Sequence, residues 1–210
     1  MLTSSYGNFT LEFPNFYACD LGWYSHAEMQ TKKFYLDTVQ PTWNIIDAGA
    51  QIGMYSVLFS RLTKGNVYSF EPTDTIDLLN KNLEYHKCDN VQTFQKAISD
   101  RTGKFQDKVY KIWSQQVIED KEFDFIKIDD FIEQNNIKID LIKIDVDSYD
   151  YEALIGSENT LKTQNPLVVV ELNYALERRN RTIKECVDFM ESLGYKQIGF
   201  FDNDNYAFKK

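Results

Sequence analysis

The residues best placed to do chemistry lie in the segment Trp43–Gly53, which reads WNIIDAGAQIG. Asp47 ends an apolar run two residues before Gly49, and Gly53 follows four residues later, where an apolar helical pattern begins. This order predicts a buried strand, a tight turn and a helix start, the arrangement that binds nucleotide-type cofactors at the carboxyl edge of a parallel sheet. Gly49 allows the backbone to turn sharply and to approach a ligand closely.

The carboxylate of Asp47 indicates which class of cofactor would fit. A dinucleotide motif has a glycine at this position, so that a pyrophosphate can contact bare backbone amides. Asp47 would repel a pyrophosphate, whereas it suits S-adenosylmethionine (SAM), which has an ammonium, a sulfonium and no phosphate. The D-x-G-x-x-x-G pattern resembles the first motif of class I methyltransferases. The alternative is a strand, turn and helix that bind no ligand.

A second acidic residue supports the same interpretation. The segment Asn66–Pro72 predicts a second strand ending at Glu71, 24 residues (71 − 47) after Asp47. An acidic residue about 20 residues beyond the turn can accept hydrogen bonds from the ribose hydroxyls of a cofactor. We therefore predict that Glu71 binds a ribose, the alternative being a solvated carboxylate at a strand end.

Two later strands are also predicted to end in polar side chains. Asp145 and Asp147 stand at the end of one strand, and Glu171 and Asn173 at the end of the next. Residues two apart point the same way along an extended chain, so each pair is expected to face the same space. A carboxylate there could accept the proton of an acceptor hydroxyl. Alternatively, Asp145, Glu171 and Asn173 could hold Mg²⁺, or Asp147 could cap the next helix while Glu171 orients a substrate hydroxyl.

Predicted strands and helices alternate along the chain after residue 40. This alternation predicts an α/β fold with a parallel sheet and helices on both faces. The predicted strands are 43–48, 66–71, 91–98, 139–146, 167–172, 195–201 and 205–209, and the last two should form an antiparallel hairpin. The predicted helices are 53–63, 74–87, 149–163 and 181–193. Within an irregular segment, 101–136, residues 123–128 predict an extra strand and 129–135 a short helix.

The first 40 residues do not fit this alternation. We predict that residues 1–40, which are rich in aromatic side chains, form a small N-terminal cap beside a cofactor domain of residues 41–210. Ser25 and Glu28 have capping-box spacing for a helix over 26–38. His26 lies in this cap, near where an acceptor would enter, and is a candidate general base. Its alternative role is that of an exposed residue in the capping turn.

Composition excludes several classes of function. A net charge of −9 over 210 residues argues against binding to nucleic acid, which needs many lysines and arginines. No apolar run reaches the length of a membrane span, and the N-terminus lacks the pattern of a signal peptide. Three cysteines without a C-x-x-C pair indicate a reducing compartment. We expect a cytoplasmic monomer or homodimer.

Several motifs together resemble the FkbM family of SAM-dependent methyltransferases. They are IIDAGAQIG (45–53), SFEP (69–72), AISD (97–100), DLIKIDVDSYD (140–150) and NPLVVVELN (165–173). The resemblance covers roughly residues 28–173. It implies the Rossmann-like fold of class I methyltransferases, a seven-stranded, mostly parallel sheet with an antiparallel C-terminal strand. The family's Glu-Gly-x-Glu is Asp147-Ser148-Tyr149-Asp150 here, so the acceptor pocket is expected to differ.

The resemblance also implies roles for individual residues. The residues implied to bind SAM are Glu28, Asp47, Gly49, Ala50, Gly53, Glu71, Pro72, Ala97, Ile98 and Asp145, with Glu28 near the ammonium. Asp145, Asp147 and Glu171 are implied to act on the acceptor, a hydroxyl group most simply of a sugar or glycan. The alternatives are a phenolic or polyketide acceptor, a nicotinamide-binding domain, which Asp47 disfavours, or a non-catalytic module.

Overall fold

The computed structural model describes residues 1–17, 26–112 and 116–210 of the chain. The strands in this part of the chain are β1 (Leu2–Ser5), β2 (Thr10–Phe13), β3 (Ile45–Ala48), β4 (Val67–Phe70), β5 (Val91–Phe94), β6 (Ala97–Ile98), β7 (Gly103–Ile112), β8 (Val117–Ile126), β9 (Leu141–Ile144), β10 (Leu167–Glu171), β11 (Lys196–Phe201) and β12 (Asn205–Lys209). The helices are α1 (Met29–Thr38), α2 (Met54–Leu62), α3 (Ile76–His86), α4 (Ile128–Asn135), α5 (Asp150–Ile155), α6 (Glu158–Thr163), α7 (Ile183–Ser192) and the 3-10 helix Tyr174–Arg179.

The central sheet of the described residues has seven strands in the order β11-β12-β10-β9-β3-β4-β5. Neighbours from β10 to β5 are parallel, and β12 runs antiparallel to both β10 and β11. The predicted fold class is therefore confirmed, including the reversed C-terminal strand. The connections proceed outwards from β3 in one direction and from β9 in the other, so the sheet has its topological switch point between these two strands.

Helices cover both faces of the sheet. Successive residues of a strand point to opposite faces, so a single strand contributes to two separate cores. Ile45 belongs to a core formed with α1, α2 and α3 and with the β1–β2 hairpin. Its neighbour Ile46 belongs to a second core formed with α4, α5, α6 and α7. Both isoleucines are completely buried. None of the helices in the described ranges has the length and apolar character required to traverse a bilayer.

The N-terminal segment packs on the first of these cores. Tyr6 and Phe13 of the β1–β2 region are completely buried, and the Tyr6 hydroxyl donates a hydrogen bond to the Met54 carbonyl over 2.9 Å. These two aromatic side chains therefore stabilise the fold and do not face an acceptor. Two others of the predicted cap, Trp23 and Tyr24, lie outside the described residues. The division into a cap and a cofactor domain remains a prediction.

Helix α1 begins three residues later than the sequence predicts. Glu28 precedes it in the left-handed backbone region, with φ of 52°, and its side chain makes no capping hydrogen bond. The cap comes from Asp202 in the β11–β12 turn, whose carboxylate accepts from the Thr31 amide over 2.8 Å. The capping-box role predicted for Glu28 is therefore wrong, and its partner Ser25 lies outside the described residues. Glu28 is left to face the cleft at the end of the sheet.

The segment after β5 differs most from the prediction. Residues 91–98 form two strands, because Ala97 pairs with Phe125 in a separate side sheet of order β6-β8-β7. The segment predicted to be irregular contains the long β7–β8 hairpin of this side sheet. Its strands carry many charged, exposed residues, so the apolar alternation that identifies a strand is weak.

The helix predicted over 149–163 is also divided. Helix α5 ends before Gly156 and α6 begins after Ser157. A Cβ atom at Gly156 would collide with the backbone carbonyl of Ser99. The break therefore lets the chain pass close to the segment that follows β6, which is a long-range contact invisible in local periodicity.

Candidate active site

A cleft of about 420 Å³ opens at the carboxyl edge of the central sheet, close to the switch point between β3 and β9. The residues singled out from the sequence that line it are Glu28, Gly49, Ala50, Glu71, Pro72, Ala97, Ile98, Asp145, Asp147 and Glu171. Asp47 and Gly53 lie beneath or behind the lining, and His26 and Asn173 are likewise not among the described residues that form it. The structure thus brings the predicted cofactor residues and three predicted catalytic carboxylates into one space.

The turn after β3 is shaped by glycine. Gly49 has φ of 79°, a conformation that side chains disfavour. A Cβ atom there would collide with the backbone carbonyl of Asp145 at the end of β9. Gly53 has φ of 95°, and a Cβ atom there would come within 2.6 Å of the Leu79 side chain. Both glycines therefore permit close approach, one between neighbouring strand ends and one between α2 and α3.

Asp47 acts beneath this turn. It is completely buried, and its Oδ2 accepts a hydrogen bond from the Ser56 hydroxyl over 2.6 Å. Its Oδ1 lies 3.2 Å from the Lys143 ammonium. Asp47 does not line the cleft, and it is linked to the turn through Lys143, whose ammonium also binds the Gly49 carbonyl.

Lys143 lines the cleft but was not among the residues predicted from the sequence. Its ammonium donates to the Gly49 carbonyl over 3.0 Å and lies 3.3 Å from Asp145 Oδ2, besides its contact with Asp47. Burial disfavours the ammonium, but the carboxylates of Asp145, Asp47 and Glu28 together raise the pKa of Lys143 above its ordinary value. The available signal was a lysine inside an apolar strand, in register with Asp47 across the β3–β9 pair.

Glu71 is held rigidly at the end of β4. Its Oε1 accepts from the Thr73 hydroxyl over 2.6 Å and from the Thr73 amide over 3.0 Å. Its Oε2 accepts from the Gln51 amide over 3.2 Å, which joins it to the turn after β3. Burial raises the pKa of Glu71 to about 7. The carboxylate lines the cleft in a fixed orientation, as the predicted ribose acceptor should.

Glu28 lines the same cleft from the residue that precedes α1. Its Oε2 accepts from the Tyr55 hydroxyl over 3.0 Å, and its Oε1 accepts from the Asn205 amide over 3.2 Å. Burial, followed by the negative charge of Asp145, raises the pKa of Glu28 to about 7. The two carboxylates repel each other, so a ligand cation placed near them would be stabilised.

The floor of the cleft is acidic beyond β9 as well. Burial and the nearby Asp145 carboxylate raise the pKa values of Asp147 and Glu171 well above their ordinary range. Asp145 and Asp147 both line the cleft, as predicted, but the extended chain expected between them is wrong, because Asp147 has φ of 50°. The loop is held instead by Asp150, whose carboxylate accepts from the amides of Val146 over 3.0 Å and Ser148 over 3.1 Å.

The proposed metal site finds no support. Asn173 Oδ1 accepts from the Ala175 amide over 2.8 Å and so caps the 3-10 helix, while Nδ2 donates to Glu171 Oε2 over 2.9 Å. The oxygen that would bind Mg²⁺ is therefore already used. Across residues 1–17, 26–112 and 116–210, no three His, Cys, Asp or Glu side chains are grouped so that they could hold a metal ion. His26 is exposed outside the lining, so the carboxylates are the better placed proton acceptors.

The loop after β9 carries backbone strain that a substitution can relieve. Ser148 has φ of 89° and stands where the family pattern has glycine. Glycine adopts this conformation without the steric cost of a Cβ atom, so Ser148→Gly should raise the free energy of unfolding by about 1 kcal/mol. Urea unfolding followed by circular dichroism measures the change. Ser192→Gly at the end of α7 is the control and should lower stability. A less stable Ser148→Gly protein would show that the side chain matters more than the strain.

Comparison with known proteins agrees with this geometry. A family model described as the methyltransferase FkbM domain matches residues 47–196. The hexuronic acid methyltransferase AglP of Haloferax volcanii is 27% identical over 146 residues, which are 65% of this chain and 58% of that protein. The crystal structure of methyltransferase FkbM from Methylobacillus flagellatus has a TM-score of 0.58 at 14% identity, covering 82% of this chain and 44% of that one. A SAM-dependent methyltransferase from Aquifex aeolicus has a TM-score of 0.52 at 12% identity, covering 86% and 88%.

These similarities carry different weight. The structural matches have low sequence identity and show the shared fold. This chain spans less than two thirds of the length of both the Haloferax relative and the Methylobacillus structure. The family match is the decisive one, because residues 47–196 include the glycine turn, Glu71 and both acidic strand ends. The chain belongs to the FkbM family of methyltransferases.

Proposed function

We propose that the cleft binds SAM and that the chain transfers its methyl group to a hydroxyl oxygen, most simply of a sugar or glycan. The observation that carries this proposal is the position of Glu28, Asp145 and Glu71 around the Gly49 turn. An acidic end suits a ligand with an ammonium and a sulfonium, and a fixed carboxylate at the end of β4 suits a ribose. The chemistry of these side chains therefore fits SAM better than a phosphate-bearing dinucleotide.

Each part of the cofactor has a matching region of the cleft. Glu71 would accept hydrogen bonds from the ribose hydroxyls, and Glu28 would face the ammonium. The apolar side chains of Pro72, Ala97 and Ile98 would contact the adenine. When bound, SAM supplies an electrophilic methyl group. The methyl donor requires little activation, so the protein has to align the acceptor and exclude water.

The chain's own contribution to the chemistry is to receive a proton. An alkyl hydroxyl is a weak acid, so its proton must leave as the new bond to oxygen forms. Asp145 lines the cleft, and its side chain is 31% exposed, which leaves it accessible to an acceptor. Lys143 fixes one of its oxygens from below. We assign proton acceptance to Asp145, with Asp147 and Glu171 orienting the acceptor.

A sugar acceptor is supported by the family and by one relative. The Haloferax relative is a hexuronic acid methyltransferase, which acts on an acidic sugar by its name. A phenolic or polyketide hydroxyl is the alternative acceptor, because aromatic side chains in the cleft can contact either kind of ring. We also propose that residues 1–40 contribute to acceptor binding, beside a SAM-binding domain of residues 41–210.

A donor-labelled screen tests the proposed function. The protein is incubated with SAM carrying a labelled methyl group and with panels of glycosides, sugar nucleotides and phenols. We expect label to appear in a sugar, and product analysis should place it on oxygen. Label found only in phenols would contradict the sugar acceptor and support the phenolic alternative. No transfer to any acceptor, together with no binding of SAM, would refute the proposal.

The affinity for SAM should depend strongly on pH. Burial raises the pKa values of Glu28 and Glu71 to about 7, and the contacts proposed with the ammonium and the ribose use both carboxylates in their ionised form. Below pH 7 each must lose a proton to bind, so the Kd should rise at least about tenfold between pH 8 and pH 6. Calorimetric titration across this range measures the dependence. Glu28→Gln and Glu71→Gln should each flatten it, whereas an unchanged slope in both variants would contradict the assignment.

A further inference from the structure

A wall of three tyrosines borders the cleft beyond its acidic floor. Tyr110 comes from β7, Tyr149 precedes α5, and Tyr174 is the first residue of the 3-10 helix. We call these three residues the tyrosine wall. They come from separate segments, and the methyl donor site described above needs none of them.

Two members of the tyrosine wall are covered by arginines from the 3-10 helix. The Arg178 guanidinium lies 4.6 Å from the centre of the Tyr110 ring, and that of Arg179 lies 3.7 Å from the centre of the Tyr149 ring. Both distances are typical of cation–π contacts. Tyr149 is also only 4% exposed. These two rings therefore join the hairpin, α5 and the 3-10 helix, and each has one face occupied.

Tyr174 is the most exposed of the three tyrosines. Its side chain is 67% exposed although it lines the cleft. The backbone that carries it is fixed, because Ala175 and Leu176 are buried and Asn173 caps the 3-10 helix. An exposed aromatic ring on a fixed backbone loses little conformational freedom when a ligand binds to it.

Tyr174 lines the same cleft as the proposed proton acceptor, Asp145. Asn173 precedes it and is hydrogen-bonded to Glu171, whose carboxylate lines the acidic floor. A ring bound against Tyr174 would therefore occupy the same cleft as the carboxylates of Asp145 and Glu171. The apolar C–H face of a pyranose matches an aromatic face, while its hydroxyl groups stay free for polar contacts.

We propose that Tyr174 is the platform on which the acceptor ring stacks, and that the acceptor is a pyranose sugar. This inference rests on the proposed function and adds to it the residue that selects the acceptor. Tyr110, which Arg178 covers on one face, lines the same cleft. The methyl donor site, formed around Glu71 and Glu28, does not depend on Tyr174.

Variants at position 174 test the platform with methyl glucoside and methyl glucuronide as acceptors. Tyr174→Ala should raise the acceptor KM about tenfold, because a stacking contact is lost, and should leave the Kd for SAM unchanged. Tyr174→Phe and Tyr174→Trp should retain a KM near that of the wild type, whereas Tyr174→Leu should not. Tyr85→Ala, at an exposed tyrosine of α3, is the matched control and should change neither constant.

The outcomes separate this inference from the proposed function. An unchanged acceptor KM in Tyr174→Ala, or a Tyr174→Leu protein as active as Tyr174→Phe, would overturn the platform. A weakened SAM Kd in Tyr174→Ala would assign the ring to the donor site and also overturn it. If the wild type transfers no methyl group, ligand-observed NMR with the two sugars and S-adenosylhomocysteine (SAH) still shows whether a sugar binds on Tyr174. Sugar binding that Tyr174→Ala abolishes would support the platform, and no sugar binding by the wild type would refute it.

Discussion

Asp145→Asn should lower the turnover number for methyl transfer by ~10²-fold or more, because the amide can no longer accept a proton. The Kd for SAM should change little by comparison, since Glu71 and Glu28 remain. Asp145 lines the cleft, and one of its oxygens is held 3.3 Å from the Lys143 ammonium. Steady-state kinetics with a labelled methyl donor measure turnover, and calorimetry measures binding.

Two controls make this result specific. Asp188→Asn removes an exposed carboxylate of α7 that pairs with Lys184, and it should leave turnover unchanged. Treatment with EDTA should also leave the wild-type rate unchanged, because proton acceptance by a carboxylate needs no metal ion. Near-normal turnover in Asp145→Asn would remove this residue from the mechanism. A rate that EDTA abolishes and Mg²⁺ restores would return the mechanism to metal polarisation.

Glu71→Ala should weaken SAM binding by about 1–3 kcal/mol, because the ribose hydroxyls lose a charged hydrogen-bond acceptor. The structure adds a second contribution, since the amides of Thr73 and Gln51 would lose the acceptor they share. Glu71→Gln separates the two, because its side-chain oxygen can still accept hydrogen bonds while the charge is lost. We expect its SAM affinity to lie between those of Glu71→Ala and the wild type.

The measurement is calorimetric titration with SAM and with SAH. Glu84→Ala, at an exposed glutamate of α3, is the control for a change of net charge and should bind both ligands normally. Thermal unfolding without ligand shows whether Glu71→Ala is folded. Unchanged affinity in a folded Glu71→Ala protein would show that the ribose does not lie at the end of β4.

The sequence predicted the central sheet because its signals are local. The run that ends at Asp47 and the one that ends at Glu71 are short apolar segments followed by turn residues, and both form buried strands. In a parallel sheet the carboxyl ends of the strands share one edge, so Glu71, Asp145 and Glu171 were expected to meet, and all three line the cleft.

What the sequence did not predict depends on contacts between distant residues. Lys143 appears in the sequence as a charged residue in an apolar strand, and its role follows only from its register with Asp47. The β7–β8 hairpin has many exposed charged residues, so local patterning predicted only the end of β8, within the strand expected over residues 123–128. Tyr174 was not singled out, because its place in the cleft depends on the 3-10 helix that carries it.

The most direct test is a crystal structure of the protein with SAH. We predict one molecule in the cleft, with its ribose hydroxyls within hydrogen-bond distance of Glu71 and its ammonium next to Glu28. Its sulfur should face Asp145, with Tyr174 on the acceptor side and free of contact with the ligand. SAH bound elsewhere on the protein, or bound in the cleft with its ribose away from Glu71, would contradict the assignment of this cleft as the methyl donor site.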